Sequence, residues 1–405
     1  MIQAPYTLFT RIPLYADATG EVYADDLWAK DLALHLDYIA EFRICCPRLP
    51  AAERPNTTTM VTGLSSAQII PLSRDQGWLS VLRNLWPNFA QVRRAVKATR
   101  IVHSGGAGWA FPLSYYILLL RRRLDFQWVM VIESSFWMKP TQGRVSLRQH
   151  LAHAFHHRMI RACMRAADAH IVTQSWYRDL FLGPDAQVHI APAVWIDEQD
   201  ILDAPPEAPR QGAGPARVIF PARMVPEKGV ETVLQAIELL STQLASAADP
   251  VLEIDIVGAG PLAERCRSFA AQDHGPVAVR FRDPVPYGAP FFKMLRGYEA
   301  VVLANRQPEQ PRIVYDAFAQ ALPVIASRTP GIETTVTDGE TGWLFPVDDA
   351  EALANLLSRT QTEPQALARM GATALDAVAA RTHSRMHQDR EVFLRTRLGL
   401  ATTPP

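Results

Sequence analysis

Arg223-Met-Val-Pro-Glu-Lys228-Gly229 puts an arginine and a lysine in one short turn, between the apolar run Arg217 to Pro221 and a segment of helical spacing, Val230 to Leu244. A strand-to-helix turn offers unpaired backbone N–H groups and the positive end of a helix dipole, so two added cations make a site for a diphosphate. A bidentate guanidinium and a point-charge ammonium suit that anion. A second small-residue turn, Gly258-Ala-Gly260-Pro261, follows the run Leu252 to Val257. It lets backbone approach a nucleotide closely, although the third glycine and acidic ribose partner of a dinucleotide fingerprint are missing. The third signal is Arg306 to Ser327, where a strand ends in the polar loop Pro308, Glu309, Gln310, Pro311, Arg312 and a helix opens at Ile313. Asp316, one turn into that helix, can accept both hydroxyls of a ribose or simply stabilise the helix dipole. Glu309 and the loop amides are placed to hold a sugar.

In the first half, His103 ends the strand-like run Arg100 to His103 and meets Ser104-Gly105-Gly106, a loop with no bulk. A strand-end histidine is either satisfied by a backbone carbonyl or aimed at a ligand. Glu133-Ser134-Ser135, after Trp128 to Ile132, can contact hydroxyls or cap the next segment. His150, His153 and His157 share a helix face at a spacing that can chelate. No acidic residue lies between Ser134 and Ala167, and Arg148, Arg158, Arg161 and Arg165 surround them, so the reading is a basic surface face and no metal site is expected. Glu253 and Asp255 alternate along a strand instead of forming an Asp-x-Asp loop.

These groups need a scaffold that delivers them from strand ends. After Asp203 to Arg217, a Pro/Ala/Gly-rich linker, strands are expected at Arg217–Pro221, Leu252–Val257, Val277–Phe281, Ala300–Ala304, Val324–Ala326 and Gly342–Phe345. Helices are expected at Val230–Leu244, up to Ala271, at Ile313–Ala321 and at Ala350–Leu357. Such alternation predicts a parallel sheet covered on both faces, with ligands at the carboxyl ends of its strands. Before the linker, Arg100–His103, Trp128–Ile132 and His170–Thr173 read as buried strands, and Asp25–Phe42, Ser146–Ala166 and Trp176–Leu182 as helices. Ser384 to Leu398 reads as a polar helix and Thr402 to Pro405 as a frayed tail. The domains expected are 1–202, a linker 203–217, 218–375, and a helix and tail 376–405 crossing back to the first domain.

The motifs, in this order, resemble the nucleotide-sugar half of the retaining GT-B glycosyltransferases of family 4. The similar run extends from Arg217 to about Leu357 and includes FPARMVPEKGVETVLQAI, DIVGAGPLAERC, AVVLANRQPEQPRIVYDAFAQALPVIAS and TPGIETTVTDGETGWLFPVDD. The resemblance implies an α/β fold of two Rossmann-like domains facing a cleft, and retaining, metal-independent transfer from an NDP-sugar, with UDP or GDP as the nucleotide. The acceptor it implies is a saccharide or a polyprenyl-diphosphate-linked saccharide, in bacterial surface polysaccharide or glycolipid synthesis. By this likeness Arg223 and Lys228 hold the diphosphate, Gly258 and Gly260 line the nucleotide site, Arg280, Phe281 and Arg282 border the base, and Asp316 takes the ribose. Glu309, Gln310, Arg312 and Ile313 complete the donor pocket, and His103 approaches the donor sugar. Asp17, Thr19 and Gly20 are taken as the first strand-to-helix loop, bordering donor and acceptor, with Gly105, Gly106 and Glu133 also on the acceptor side. The family's two glutamates are altered: Asp316 stands at the second position, and Glu309 falls one residue late for the first, so the loop must contract for Glu309 to serve. That alteration keeps open a catalytically silent nucleotide-sugar-binding partner subunit, and a GT-B-fold sugar epimerase is the other alternative.

The chain has 405 residues, 48% of them hydrophobic, with 41 basic and 41 acidic side chains. That apolar content excludes a disordered chain, and the neutral total argues against a nucleic-acid-coating protein. Four cysteines without paired spacing fit a reducing compartment. The first twenty residues lack the basic and apolar segments of a secretion signal, so a cytoplasmic location is expected. The neutral sum hides an uneven distribution: residues 83–165 hold 14 basic side chains and only 2 acidic ones, Asp125 and Glu133. The same segment contains the apolar run Trp109 to Leu120, ended by Arg121, Arg122 and Arg123. Either that run docks on an anionic membrane surface, making the protein peripheral on the inner face of the plasma membrane, or it is a core helix beside solvated arginines.

Overall fold

Short runs of β-branched and aliphatic residues, buried on both faces, are stable only in a sheet that helices cover from each side. The computed structural model describes residues 1–75, 77–106, 111–134, 138, 146–206, 214–245 and 251–400. They divide into two compact units, one from Met1–Met138, Leu147–Pro192 and His383–Pro405, the other chiefly Ala193–Thr382. Of the expected linker, residues 207–213 lie outside the described residues, as do residues 109 and 110 of the apolar run and Ser135.

The first unit opens with β1 (Tyr6–Phe9), β2 (Leu14–Ala16), β3 (Glu21–Asp25) and α1 (Asp26–Tyr38). Next come β4 (Phe42–Pro50), β5 (Thr58–Ser65), β6 (Ile69–Leu72) and α2 (Trp78–Lys97). Strict alternation follows: β7 (Ile101–Gly105), α3 (Leu113–Arg121), β8 (Gln127–Ile132), α4 (Leu147–Ala166), β9 (Ala169–Val172), α5 (Ser175–Phe181) and β10 (His189–Ile190). Its parallel strands lie in the order β6-β4-β1-β7-β8-β9-β10, and β2, β3 and β5 extend the sheet beyond β4. Successive residues feed opposite cores, so Val129 and Val131 of β8 pack on one side while Trp128, Met130 and Ile132 pack on the other. The second core draws in α2, α3, α4 and α5.

One expectation changes here, and one open alternative is decided. Asp17, Thr19 and Gly20 do not lead from a strand into a helix; they form the turn of a hairpin between antiparallel β2 and β3. The cause is a period of two, with Val22 and Ala24 buried between exposed Glu21 and Asp25, and Gly20 at φ +93° as pivot. Asp17 Oδ1 accepts from Thr19 N at 3.0 Å, Thr19 Oγ1 at 2.7 Å and Glu21 N at 2.9 Å, which closes the turn on itself. The apolar run is a core helix: Leu113, Tyr115, Tyr116, Ile117 and Leu120 of α3 are buried. No helix among the described residues is long and apolar enough to cross a membrane.

The second unit runs β11 (Ala216–Pro221), α6 (Val230–Gln243), β12 (Leu252–Val257), α7 (Ala263–Ala270), β13 (Val277–Arg282) and α8 (Ala289–Leu295). It continues with β14 (Ala300–Leu303), α9 (Ile313–Ala319), β15 (Val324–Ser327), α10 (Pro330–Glu333), β16 (Gly342–Phe345), α11 (Ala350–Thr362) and α12 (Pro364–Val378). All six strands are parallel, in the order β13-β12-β11-β14-β15-β16. The last helix, α13 (His383–Arg397), belongs to the first unit and sends Leu394 and Leu398 into its core. Each sheet therefore reverses its strand order once, between β1 and β7 in the first unit and between β11 and β14 in the second, and a parallel sheet opens a ligand crevice at such a reversal.

Candidate active site

The reversal in the second sheet sets the loop after β11 beside the loop after β14. The β11 loop is held down by close backbone approaches that only glycine allows. Gly229 sits at φ +68°, and a Cβ there would fall 1.9 Å from the Ala304 carbonyl oxygen. A Cβ on Gly258 would meet the Ala222 oxygen at 1.9 Å, and one on Gly260 the Met224 oxygen at 2.6 Å. Met224 N donates to Ala259 O at 2.9 Å and Leu262 N to Met224 O at 2.9 Å, so the glycine turn is the seat of the Arg223 loop.

Arg223 is exposed and Lys228 half-buried, and neither side chain makes an ion pair within 4 Å among the described residues. Burial lowers the Lys228 ammonium from its usual range, and the charges of Arg223 and Arg312 lower it further against the pull of Glu309 and Glu227. Three cations and Glu309 thus act on one another at the sheet's switch point. One desolvated ammonium with two exposed guanidiniums beside it suits an anion.

The β14 loop is fixed from several sides. Ser327 Oγ donates to Asn305 O at 2.6 Å, Arg306 Nε reaches Asp348 Oδ2 at 3.0 Å, and Arg306 N donates to Glu227 O at 2.9 Å. Gln310 is buried and works as a strut: its Oε1 accepts from Ala193 N at 3.1 Å, and its Nε2 faces Thr335 Oγ1 at 3.5 Å. Gly331 lets α10 press on the Glu309 carbonyl, where a Cβ would come within 2.4 Å. Arg312 lies over the Trp195 ring, 5.4 Å from its centroid, and Ile313 starts α9. Asp316 is buried with the Tyr287 hydroxyl donating to its Oδ1 at 2.8 Å, and burial pushes its carboxyl up to about 7. Arg280, Phe281 and Arg282 stand apart, on the edge strand β13. Arg280 binds Glu253 at 3.0 Å, Arg282 binds Asp255 at 2.8 Å, and Arg267 covers the Phe281 ring at 4.8 Å.

The reversal in the first sheet opens a cavity of about 140 Å³. Thr10 and Arg11 line it from the end of β1, His103, Gly105 and Gly106 from β7, and Glu133 from the end of β8. Gly106 N donates to Val131 O at 2.8 Å, which pulls the loop flat over β8. His103 is buried with Nδ1 2.7 Å from the Tyr6 hydroxyl, and burial holds its imidazole well below the usual histidine range, so it is neutral. Glu133 is exposed at the cavity mouth, yet the protein wall around it raises its carboxyl, helped by Asp31 and opposed by Arg390 and His35.

Behind the cavity lies a buried cluster that sequence reasoning missed. His383 and His387 on α13 place Nε2 at 3.2 Å and 3.0 Å from Asp31 Oδ1 on α1. His35 Nδ1 is 2.8 Å from the Asp31 carbonyl, and Arg390 Nη1 is 3.0 Å from His35 Nε2. Burial raises the Asp31 carboxyl, but the pull of His35 and hydrogen bonds from His383 and His387 outweigh it and hold it well below the usual carboxylate range. Asp31, His35 and His387 bring ligand-type atoms within 4.8 Å of one another. A guanidinium has no acceptor, so Arg390 must donate to His35, and its positive charge already balances the one carboxylate. A divalent cation would leave this buried site positive and does not suit it. On α4, His156 bonds the Tyr115 hydroxyl at 2.8 Å and His157 packs on Phe181 at 5.4 Å, so these two serve packing.

Residues 215–362 match the family model described as glycosyl transferases group 1. That stretch is most of the second unit and less than half of the chain, so the second unit is similar to the group 1 glycosyl transferases. Among curated proteins, the chain is 28% identical over 217 residues to a GDP-mannose-dependent alpha-(1-6)-phosphatidylinositol monomannoside mannosyltransferase of Mycolicibacterium smegmatis, covering 49% of this chain and 53% of that protein. The match spans about half the length of that relative. Two solved structures share the architecture of nearly the whole chain. Sucrose-phosphate synthase from Thermosynechococcus elongatus has a TM-score of 0.69 at 19% identity, over 98% of this chain and 100% of that one. Anabaena HepE in complex with UDP-glucose has a TM-score of 0.65 at 12% identity, over 98% and 100%. At such identities the likeness concerns the fold, which is GT-B: two parallel-sheet Rossmann-like units. The matched stretch runs through the loops after β11 and after β14, which carry Arg223, Lys228, Glu309 and Arg312, and through α9, which carries Asp316.

Proposed function

We propose that the protein is a retaining, metal-independent glycosyltransferase that moves a sugar from a UDP- or GDP-sugar to a saccharide or polyprenyl-diphosphate-linked acceptor, in bacterial surface polysaccharide or glycolipid synthesis at the cytoplasmic face of the membrane. The observation that carries it is the convergence of Arg223, Lys228 and Arg312, with Glu309, at the switch point of the second sheet. The donor's diphosphate relieves the repulsion among these cations, and Asp316 and Glu309 take ribose and sugar hydroxyls. The acceptor hydroxyl attacks the anomeric carbon from the face the diphosphate leaves, the bond to the diphosphate breaks, and a leaving phosphate oxygen takes the hydroxyl proton. Arg223 and Lys228 stabilise the charge that develops on that oxygen, the work a bound metal does in other transferases. Neutral His103 and the raised Glu133 carboxyl offer hydrogen bonds to sugar hydroxyls in the first unit's cavity.

The test is a panel of α-linked UDP- and GDP-sugars with saccharide and lipid-linked acceptors, with and without EDTA, products being read by NMR. An α-linked product formed at an unchanged rate in EDTA supports the reading. A β-linked product overturns retention, and a rate abolished by EDTA overturns metal independence. A donor that binds but is not turned over with any acceptor favours the silent subunit.

A further inference from the structure

Three of the helices on the second face of the first sheet, α2, α3 and α4, have outer surfaces that are not those of an ordinary soluble protein. α2 joins α3 through Phe89 and Tyr116, ring centroids 5.7 Å apart, and α3 joins α4 through Tyr115 and Phe155 at 6.1 Å. Outward, α2 exposes Leu79 (85%), Leu82 (66%) and Trp86 (74%), a single helical stripe. The neighbouring α4 exposes Leu147 (77%), Leu151 (65%) and Phe155 (51%), one turn apart each time, and α3 between them exposes Leu119 (62%). Of the thirteen exposed large hydrophobics among the described residues, seven stand on these three helices. Clustering of that kind marks an interaction surface.

The charge beside the stripes decides what they meet. A groove of about 790 Å³ between α3 and α4 is lined by Arg121, Arg122, Arg158, Arg161 and Arg165, with Leu118 and Leu119. Arg121 is bound to Asp168 at 2.7 Å. The other four have no acidic partner within ion-pair distance among the described residues, and neither α3 nor α4 contains an acidic residue. Apolar stripes beside unneutralised arginines complement a surface that is apolar within and anionic at its edge, which is the headgroup boundary of an anionic bilayer.

We propose that the α2–α3–α4 face of the first unit docks on an anionic lipid bilayer, with Leu82, Trp86, Leu151 and Phe155 entering the interface and the α3–α4 arginine groove binding lipid phosphates. This rests on the peripheral location proposed above and deepens it by naming the surface, to which the largely buried α3 run contributes its exposed Leu119. The arginines steer the face down through charge that salt screens, and the stripes hold it there through burial that salt does not screen.

The experiment is sedimentation of the full chain with vesicles of phosphatidylcholine alone or with phosphatidylglycerol, at low and high salt. Binding to the phosphatidylglycerol vesicles alone, weakening with salt, is expected. The triple variant Arg158→Ala, Arg161→Ala, Arg165→Ala should bind about 100-fold more weakly, at about fivefold per arginine near an anionic surface. Leu82→Ala with Trp86→Ala should also weaken binding at high salt, while the exposed control Arg385→Ala should not. Circular dichroism and titration with UDP or GDP establish that each variant folds. A wild-type chain that ignores the anionic vesicles ends the peripheral reading. Wild-type binding that these variants leave unchanged ends the proposed face while sparing that reading. A dimer in light scattering that Leu82→Ala with Trp86→Ala dissociates, without vesicle binding, assigns the face to a second copy and overturns the proposal.

Discussion

Asp316 offers a quantitative test of how the donor pocket is built. Its carboxyl is buried, stands at about 7, and in the unfolded chain returns to 3.8. Between those values the folded unit keeps a proton that the unfolded chain releases. The stabilising contribution is therefore complete below 3.8 and is lost as pH rises through about 7. Linkage puts the loss between about pH 5 and about pH 8 at about 2.5 kcal/mol. Asp316→Asn keeps an oxygen to accept from the Tyr287 hydroxyl and cannot ionise, so it removes this term and little else. Relative to wild type, the variant should gain about 2.5 kcal/mol over that range, which at ordinary urea sensitivity moves the midpoint by roughly 1 M. The assay is urea unfolding of both proteins by circular dichroism at the two pH values. A gap between them that stays constant with pH would refute the claim that burial controls this carboxyl. The same ionisation has a functional reading: ribose hydroxyls bind the carboxylate, so donor affinity should rise through about pH 7 in wild type and stay flat in the variant.

Gly258→Ala places a methyl 1.9 Å from the Ala222 oxygen and must shift the Arg223 loop, so donor KM should rise at least tenfold with the far-UV spectrum unchanged. Asp31→Ala removes the acceptor that His383 and His387 share and the negative charge that favours buried Arg390, and the cost should be about 3–5 kcal/mol, read as a large fall in Tm. Tyr6→Phe removes the hydroxyl at His103 Nδ1, which should cost about 1 kcal/mol of stability and alter acceptor KM more than donor KM in steady-state kinetics.

The second unit was largely legible because its strands and helices are simple periodic signals. RVIFP, LEIDIV and AVVLA are short apolar runs ended by turn residues, and they are β11, β12 and β14 within a residue or two. The order of motifs then placed Arg223, Lys228 and Glu309 on loops that the sheet's single reversal brings together, with Asp316 on the helix that follows. What Gly258 and Gly260 do was only half visible, since their close approach to Ala222 and Met224 is a fact of three dimensions. The first unit hid more. Its hairpin at Asp17 to Gly20 rests on two very short strands, and α2 carries Pro87 in mid-helix, which breaks the usual signal. The helix α13 read as polar because His383, His387 and Arg390 are polar, but they continue into Leu394 and Leu398 along one helical face and are buried with them. A second polar pair at helical spacing, Asp31 and His35 on α1, was the available clue to their partners.

The central claim is that the cations after β11 bind the diphosphate of a nucleotide sugar. Calorimetric titration of UDP and GDP into wild type, Arg223→Ala and Lys228→Ala tests it most directly. Wild type should bind one of the two nucleotides. Each variant, losing a charge-assisted contact of about 1.5–3 kcal/mol, should bind it about 10- to 150-fold more weakly with the fold intact. Affinity unchanged in both variants would contradict the assignment.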